Sequence, residues 1–472
     1  MSRVLANFLT LSASTWLQQA LNFLTVLYLA RALGADAFGQ IAVAQAVVLY
    51  FRLGSDLGLD LLGGRRVAQD PASVAATVGA FTAARAANAA LAGLLLLLVA
   101  AAIHVVRPIG WVVAAFGLLL APLALSLEWA FSGLERMGVV GTFRVVAAGT
   151  WLVLVLVLVH GPDHVLAVPL ANVAAMSAGS FLLYVLFRRR HGMVAPVIRV
   201  DRWLALVREA APIGLSLVLI QVYVGFGVIA IGLLLGERAA GLYAAPQRVV
   251  LFLTAIPSMF GAALYPRLSA LHGRGREPFE RQMAIAFRAM LLAGLPLGVG
   301  GALVAPSLMA AAYPAEYEPG GAVLRWLVLS VVPIYASVPF GFAVLAAGRQ
   351  QAYFRAAAAG AAANVAVTLA LVPSLRLLAP VAATLVTETL VLALLVAASR
   401  DLGRVNGWRT IRAAATATAV MAGALAWLRP PSLAAQVALG AGVYGATLFV
   451  SGGLTKADLE WAIGLFRSAR PA

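Results

Sequence analysis

The chain is built from long apolar runs, and the short gaps between these runs carry most of its charge. Most runs reach about 20 residues, the length that an α-helix needs to cross the hydrocarbon layer of a membrane. They predict fourteen transmembrane helices, at residues 8–31, 38–61, 75–103, 110–134, 142–161, 165–188, 209–235, 240–265, 282–312, 322–347, 351–373, 378–399, 409–428 and 433–453. No gap is long enough for a folded soluble domain. The pattern therefore predicts an all-α integral membrane protein.

Composition excludes a soluble protein. Of the 472 residues, 62% are hydrophobic and 11% are charged, whereas a soluble domain carries about 25% charged residues. The first apolar run is long enough to span and contains the polar residues Gln18, Gln19 and Asn22. We therefore interpret it as the first transmembrane helix and not as a cleaved signal peptide.

The distribution of basic residues predicts the orientation. The chain has 34 basic and 18 acidic residues, a net charge of +16. With the N-terminus in the cytoplasm, 24 basic residues fall in the inner gaps and termini, Arg144 among them, and five fall in the outer gaps. Basic residues concentrate on the cytoplasmic side of membrane proteins. This predicts a multi-pass protein of the bacterial inner membrane with both termini in the cytoplasm. Charge spread over short gaps does not suggest a nucleic-acid partner.

No metal or cofactor is expected. The chain has no cysteine and five histidines, so thiolate metal sites and disulfides cannot form. The histidines are scattered along the chain, mostly in predicted loops.

The sequence contains an internal repeat. Residues 33–49 and 235–251 match at nine of 17 positions at a fixed offset of 202. This offset spans six predicted helices, an even number, so the two copies enter the membrane in the same direction. The repeat predicts an N-lobe of helices 1–6 (residues 1–190), a linker (191–208), a C-lobe of helices 7–12 (209–400), and helices 13–14 with an amphipathic tail (401–472). We expect the basic linker to be an interfacial helix on the inner leaflet; a plain solvated linker is the alternative.

Several charges fall inside predicted membrane helices, where each costs a few kcal/mol. Arg52, Asp56 and Asp60 are spaced i, i+4, i+8, which would place all three on one face of the second helix. Arg85 and Asn88 would share a face of the third helix. Further such charges are Glu128, Arg248 and Glu388. These residues either line a polar cavity or form salt bridges that fix helix packing.

The residue types favour a cavity for an anionic, sugar-bearing ligand. Guanidinium groups bind phosphate in a bidentate manner, and acidic neighbours would neutralise them when the cavity is empty. The candidate charged lining comprises Arg52, Asp56, Asp60, Arg85 and Arg248. Candidate sugar-binding residues are Gln18, Asn22, Gln45, Gln221, Tyr223 and Gln247, although such residues can equally bond neighbouring helices. Candidate coupling or gating acids, which could carry a proton, are Asp56, Glu128 and Glu388.

Four motifs resemble those of a known family. They are LG-x-x-x-FG at Leu33 to Gly39; YF-x-L-x-x-DLGL at Tyr50 to Leu59, followed by GGRRVAQD; EWAFSGLERM at Glu128 to Met137; and LAAGRQQAYF at Leu345 to Phe354, with TLVTE ending at Glu388. In this order, the motifs resemble those of the Wzx-type O-antigen flippases, which belong to the multidrug/oligosaccharidyl-lipid/polysaccharide (MOP) exporter superfamily.

This resemblance implies twelve core helices in two lobes that flip an undecaprenyl-diphosphate-linked oligosaccharide to the outer leaflet by alternating access, for surface polysaccharide assembly. For some relatives it also implies a coupling cation, a proton or sodium. By position, Arg52, Asp56 and Glu128 match charged positions of the family motifs, and Glu388 matches the acid of helix 12. One departure is Gly63 and Gly64 after helix 2, where the family pattern leads us to expect more polar residues.

Three rival functions stay open at the sequence level. A multidrug exporter of the same superfamily should line its pocket with acids and aromatic residues, which the arginines at 52, 85 and 248 oppose. A membrane glycan polymerase, which is an enzyme, should have a long periplasmic loop with arginines, and the outer gaps here are short. The buried charges argue against a purely structural scaffold. The sequence therefore favours a transporter over an enzyme.

Overall fold

A computed structural model describes residues 3–193, 199–273, 275–403 and 407–453. Side chains are described from Ala13 onwards within these ranges, except those of residues 212–213, 215–220 and 222–223. Within the described ranges the regular structure is entirely helical. The prediction of an all-α membrane fold is thus confirmed.

The chain divides into two compact units, Met1–Gly241 and Leu242–Ala472. The helices up to the end of the first unit are α1 (Arg3–Asp56), α2 (Leu59–Gln69), α3 (Val74–Val106), α4 (Gly110–Gly117), α5 (Leu120–Leu125), α6 (Glu128–Gly133), α7 (Met137–Leu158), α8 (Ala167–His191) and α9 (Val200–Leu235). In this unit α1 packs against α3, α7 and α9, and α7 packs against α8. The long first helix is therefore the central element of the unit.

The remaining helices are α10 (Glu237–His272), α11 (Arg276–Ala312), α12 (Pro319–Leu327), α13 (Val331–Ala346), α14 (Gln350–Leu375), α15 (Ala379–Ser399), α16 (Trp408–Leu428) and α17 (Leu433–Val450). Here α11 packs against α12, α13 and α16, and α14 packs against α15. The predicted division into lobes of residues 1–190 and 209–400 stays a prediction, and α9, assigned there to the second lobe, packs on α1 in the first unit.

Eleven helical stretches of the described chain are long and apolar enough to cross a membrane. Two of them, Ala13–Gln69 and Gln350–Ser399, contain 57 and 50 residues, and two crossings need only about 40. Each of these stretches covers two of the predicted spans. The protein is thus a multi-pass membrane protein, and the count of fourteen helices stays a prediction.

The two copies of the sequence repeat have the same backbone turn. Gly34 has φ 74° and ψ 172° within α1, and Gly236 has φ 100° and ψ 171° between α9 and α10. Positive φ is a region that residues with a Cβ rarely adopt. The helices predicted at 8–31 and 38–61 therefore correspond to the two helical segments of α1, which meet at the non-helical Gly34.

The two turns also contact each other, and the contacts are reciprocal. A Cβ on Gly39 would lie 1.8 Å from the carbonyl oxygen of Glu237, and a Cβ on Gly241 would lie 2.0 Å from that of Ala35. Arg238 donates to Asp36 across 3.0 Å. Because these positions correspond at the offset of 202, the turns are related by a local two-fold arrangement.

Two predicted helices are broken, which corrects the sequence analysis. The span predicted at 110–134 is divided into α4, α5 and α6, with Ser126 in an extended conformation between the last two. Pro122 in α5 lacks a backbone donor, which weakens the helix there. The span predicted at 322–347 is divided into α12, a 3₁₀ turn at Val328–Ser330, and α13.

Glycines of the second motif pack directly on the third motif. A Cβ on Gly63 would lie 2.7 Å from the ring of Trp129, and that ring lies 5.4 Å from the ring of Phe81. These side chains belong to an apolar cluster between α2, α3 and α6. The departure of Gly63 from the family pattern thus has a packing explanation, because a larger residue would displace Trp129.

Arg349 of the fourth motif stabilises the turn before α14. Arg349 donates to the carbonyl oxygen of Ala398 across 3.1 Å and to both carboxylate oxygens of Asp401, at 2.7 and 2.5 Å. The Arg349 guanidinium holds the pKa of the Asp401 carboxyl below its usual value. The motif therefore joins the start of α14 to the end of α15.

The predicted interfacial linker is not a separate element. Helix α9 begins at Val200 and runs without interruption to Leu235, so residues 200–208 form its first turns. Trp203 packs against the apolar cluster of the first unit and donates to Asn88 across 2.8 Å. Its indole therefore contacts protein, and the location of the linker at the membrane interface stays a prediction. Residues 194–198 and the predicted amphipathic tail lie outside the described residues.

Candidate functional site

A polar cavity of about 480 Å³ lies within the first unit. Its walls come from α1, α2, α3, α5, α6, α7 and α8. Seven of the residues predicted for a site line it: Gln18, Asn22, Arg52, Asp56, Asp60, Arg85 and Glu128. Such a concentration of charge inside an apolar fold is expensive and marks a candidate functional site.

The sequence analysis placed Arg52, Asp56 and Asp60 on one face of a continuous helix, and that geometry is wrong. Helix α1 ends at Asp56, and Leu57 and Gly58 have φ of 44° and 85° before α2 begins. The Asp56 carboxylate accepts hydrogen bonds from the backbone N–H groups of Gly58 and Asp60, each 3.1 Å long. Asp56 and Asp60 still reach the same cavity, because the break turns α2 while both carboxylates face inward.

Arg85 connects two breaks in the helices around the cavity. Its guanidinium lies 3.8 Å from Asp56 and 3.1 Å from Asp60, at the first break. It also donates to the carbonyl oxygens of Ser126 and Leu123, each across 2.7 Å, at the break between α5 and α6. A side chain with five donors can bind all these groups at once. Arg85 is only 6% exposed, so these contacts satisfy a buried charge.

A second ion pair crosses the cavity wall between α6 and α7. Glu128 accepts a hydrogen bond from Nε of Arg144 across 2.7 Å, and Nη2 of the same guanidinium forms an ion pair with it at 2.5 Å. Arg144 also donates to Thr15 of α1 across 3.4 Å. The sequence analysis counted Arg144 in a cytoplasmic gap, whereas it lies within α7 and lines the cavity.

Arg52 is the least engaged charge of the cavity. Within the described part of the chain it has no carboxylate within ion-pair distance of 4.0 Å, and its side chain is exposed. The positive charge of Arg52 interacts electrostatically with the Asp60 carboxylate. Arg85 and Arg144 are both paired, so Arg52 is the cavity arginine best able to bind an added anion without breaking an existing contact.

The charges of the cavity balance. Three arginines, at 52, 85 and 144, face three carboxylates, at 56, 60 and 128. No cluster of three histidine, aspartate or glutamate side chains suited to a metal ion occurs in the described part of the chain. The empty cavity is therefore close to neutral, and an added anion changes its charge.

The other predicted site residues with described side chains are absent from the lining of this cavity. Gln45 is half-buried in α1, and Gln221 is half-buried in α9. The side chain of Tyr223 lies outside the described residues. Gln247, Arg248 and Glu388 belong to the second unit, where Glu388 is 7% exposed and within electrostatic range of Tyr353. Whether these residues serve a site stays a prediction.

Arg144, Trp151 and Asn172 are lining residues that the sequence analysis did not propose for the site. It counted Arg144 in a cytoplasmic gap, and Trp151 and Asn172 stand alone in apolar helices. The helical register could have indicated Arg144, since it lies in an apolar helix sixteen residues after Glu128. Nothing in the sequence places Trp151 or Asn172 beside the acidic residues.

Comparison with known proteins assigns the family. The model of a family described as polysaccharide biosynthesis protein matches residues 4–272, which is more than half of the chain. The chain belongs to the polysaccharide biosynthesis protein family. The predicted resemblance to Wzx-type flippases is thereby confirmed.

A curated relative of this family member is the "Putative O-antigen transporter" of Shigella dysenteriae. The two are 24% identical over 310 residues, which cover 65% of this chain and 77% of the relative. The matched family region includes the whole polar cavity, because every lining residue falls between Gln18 and Met176.

Solved structures with the same fold are transporters. The family member is similar to the lipid II flippase MurJ in an inward closed conformation, with a TM-score of 0.75, 10% identity, and 93% and 98% of the two chains covered. It is also similar to an inward-facing multidrug resistance MATE transporter of the MOP superfamily, with a TM-score of 0.64, 13% identity, and 82% and 94% covered. At these identities the likeness concerns the fold.

Proposed function

We propose that the protein moves an oligosaccharide linked to undecaprenyl diphosphate from the cytoplasmic to the outer leaflet by alternating access. The family match and the O-antigen transporter relative support a lipid-linked oligosaccharide as cargo. The MurJ-like fold supports a mechanism in which the lipid headgroup crosses inside the protein. The basic-residue count supports a location in the bacterial inner membrane with both termini in the cytoplasm.

The observation that carries the proposal is Arg52. It projects into a cavity where the other two arginines are already paired with carboxylates. A diphosphate is strongly anionic, and a guanidinium can bind it with two parallel hydrogen bonds. Gln18, Asn22 and Asn172 line the same cavity and present amides that suit sugar hydroxyls.

The charge balance gives a reason for coupling to a cation. A diphosphate that enters a nearly neutral cavity leaves it negative, which is costly away from water. A proton or sodium ion taken up with the cargo would offset that charge. Among the proposed coupling acids, Glu128 fits best, because a phosphate that binds Arg144 would release its carboxylate. Asp56 fits less well, since both its oxygens accept backbone hydrogen bonds, and Glu388 stays a candidate in the second unit.

The test is the display of surface polysaccharide in cells whose chromosomal copy is replaced by a variant. We expect Arg52→Gln to lower the glycan at the surface about tenfold or more, because a lost charge-assisted contact costs about 1.5–3 kcal/mol. Arg65→Gln is the matched control, since Arg65 is an exposed arginine of α2 outside the cavity. The variant must be present in the membrane at the wild-type level.

Wild-type display by Arg52→Gln, also when it is combined with Arg248→Ala, would refute the anion-binding role of these arginines. A transport assay in proteoliposomes distinguishes the proposed flippase from a multidrug exporter of the same superfamily. Uptake of an organic cation, with no movement of a diphosphate-linked glycan, would indicate a multidrug exporter.

A further inference from the structure

An apolar groove of about 300 Å³ lies in the first unit between α1 and α3. Its lining residues are Tyr50, Phe51, Gly54, Leu57, Asn88, Leu91, Ala92 and Leu95. We call it the α1–α3 groove. It plays no part in the anion site described above, and all its lining residues except Tyr50 and Asn88 have wholly apolar side chains.

The α1–α3 groove and the polar cavity share two walls. Near the end of α1, Arg52, Ser55 and Asp56 line the cavity, whereas Gly54 and Leu57, the residue after the helix, line the groove. Along α3, Arg85 lines the cavity and Asn88, one helical turn later, lines the groove. A polar and an apolar compartment therefore lie on different faces of the same two helices.

Among the residues whose side chains the structure describes, none fills the space beside Gly54 in the α1–α3 groove. A Cβ built on Gly54 would meet no heavy atom within 4 Å. Leu91 and Leu95 on the opposite wall are 51% and 47% exposed, in a helix that crosses the membrane. A hydrocarbon chain could therefore lie in this space, held by van der Waals contacts, since the lipid around it is equally apolar.

Asn88 makes the polar end of the groove unusual. It is 6% exposed, and its Oδ1 accepts a hydrogen bond from Trp203. Its Nδ2 is buried and lacks a hydrogen-bond partner among the described residues. A buried donor without an acceptor destabilises the fold. A ligand oxygen at the junction of headgroup and chain would satisfy it after a small side-chain movement.

A neighbouring groove provides the comparison. It has a similar volume of about 320 Å³ and lies on another face of α3, where Ala89, Gly93 and Gly117 contribute to its lining. None of its lining residues has a polar side chain, and it meets the cavity only at Ala124. A Cβ on Gly93 would lie 4.0 Å from the nearest heavy atom, in Leu120. Gly93 is therefore a matched control for Gly54.

We propose that the α1–α3 groove binds the first isoprene units of the polyprenyl chain while the diphosphate of the same molecule occupies the polar cavity. The proposal rests on the proposed function for its choice of lipid. It adds a second binding surface, which recognises the chain and not the charge. Binding energy from the chain would then hold the headgroup beside Arg52.

The test compares two probes on the purified full-length protein in detergent micelles: undecaprenyl diphosphate and inorganic diphosphate. We expect Gly54→Leu to weaken binding of undecaprenyl diphosphate about tenfold or more, because the leucine side chain would occupy the space that the polyprenyl chain needs. It should change binding of inorganic diphosphate less than about twofold, within the effect of an ordinary surface change. Gly93→Leu should change neither affinity.

A second variant tests the groove independently, in case Gly54→Leu does not fold. Leu91→Ala combined with Leu95→Ala removes the outer wall of the groove at exposed positions and should also weaken only the lipid probe. Trp203→Phe removes the hydrogen bond to Asn88 but leaves the Asn88 amide in place. This variant should bind undecaprenyl diphosphate with wild-type affinity. Asn88→Leu should lower that affinity.

The outcomes separate the two proposals. Equal lipid affinity in wild type, Gly54→Leu and the double leucine variant overturns the groove assignment, as does a loss seen only with Gly93→Leu. Competition by phosphatidylglycerol as strong as by undecaprenyl diphosphate also overturns it and indicates a bilayer phospholipid in the groove. If Arg52→Gln binds both probes normally while Gly54→Leu loses the lipid, the groove stands and the anion site fails.

Discussion

At the scale of single residues, the cavity shows that a buried charge can be structural although it lies in the candidate site. Arg85 and Arg52 both line the cavity, but only Arg85 is bound to carboxylates and to the carbonyl oxygens of a broken helix. A change at Arg85 therefore alters stability first. Sequence analysis named both arginines and could not separate these roles, because the partners of Arg85 come from helix breaks that no motif indicates.

We expect Arg85→Lys to destabilise the protein by about 3 kcal/mol, since a lysine cannot replace all four contacts and a broken buried pair costs about 3–5 kcal/mol. Arg52→Lys, the same change in the same cavity, should cost less than about 0.5 kcal/mol. The measurement is the thermal unfolding midpoint of each purified variant in one detergent. Equal midpoints for Arg85→Lys and Arg52→Lys would contradict this assignment.

At the scale of elements, turns and breaks determine where the polar residues point. The apolar pattern predicted an all-α membrane fold, because the length and composition of a spanning helix follow directly from the membrane thickness. It did not predict the break at Leu57 and Gly58, since Leu57 has no sequence feature that requires its positive φ. The conformation there is held by Asp56, whose carboxylate accepts the backbone N–H groups of the turn.

The contact between the repeat turns gives a prediction at this scale. Gly39→Ala places a methyl group against the carbonyl oxygen of Glu237, so we expect a loss of about 2 kcal/mol or more. Gly241→Ala should cost a similar amount, because its contact with Ala35 is the reciprocal one. Gly149→Ala is the control: its Cβ meets nothing within 4 Å, and alanine favours a helix interior by about 1 kcal/mol. Unchanged midpoints for both turn variants would show that the turns do not pack this closely.

At the scale of the whole molecule, composition and charge asymmetry predicted a multi-pass membrane protein, and the structure and the family agree.

The orientation stays a prediction that labelling can test, because the chain has no cysteine of its own. Asp70→Cys and Asp163→Cys place single exposed thiols in gaps that the charge count assigns to opposite sides. In intact spheroplasts, an impermeant maleimide should label only Asp163→Cys. After lysis it should label both variants. Labelling of Asp70→Cys before lysis would contradict cytoplasmic termini.

The ion pair between the repeat turns also bears on the history of the chain. Asp36 and Arg238 differ by the repeat offset of 202, so each occupies the position of the other in its own copy. A symmetric pair of identical ancestral subunits would place like residues face to face here, two aspartates or two arginines, which repel. Opposite charges can occupy equivalent positions only once the two copies have different sequences. It follows that this contact arose after the copies diverged, and that an ancestor assembled from two identical subunits joined its turns by other means.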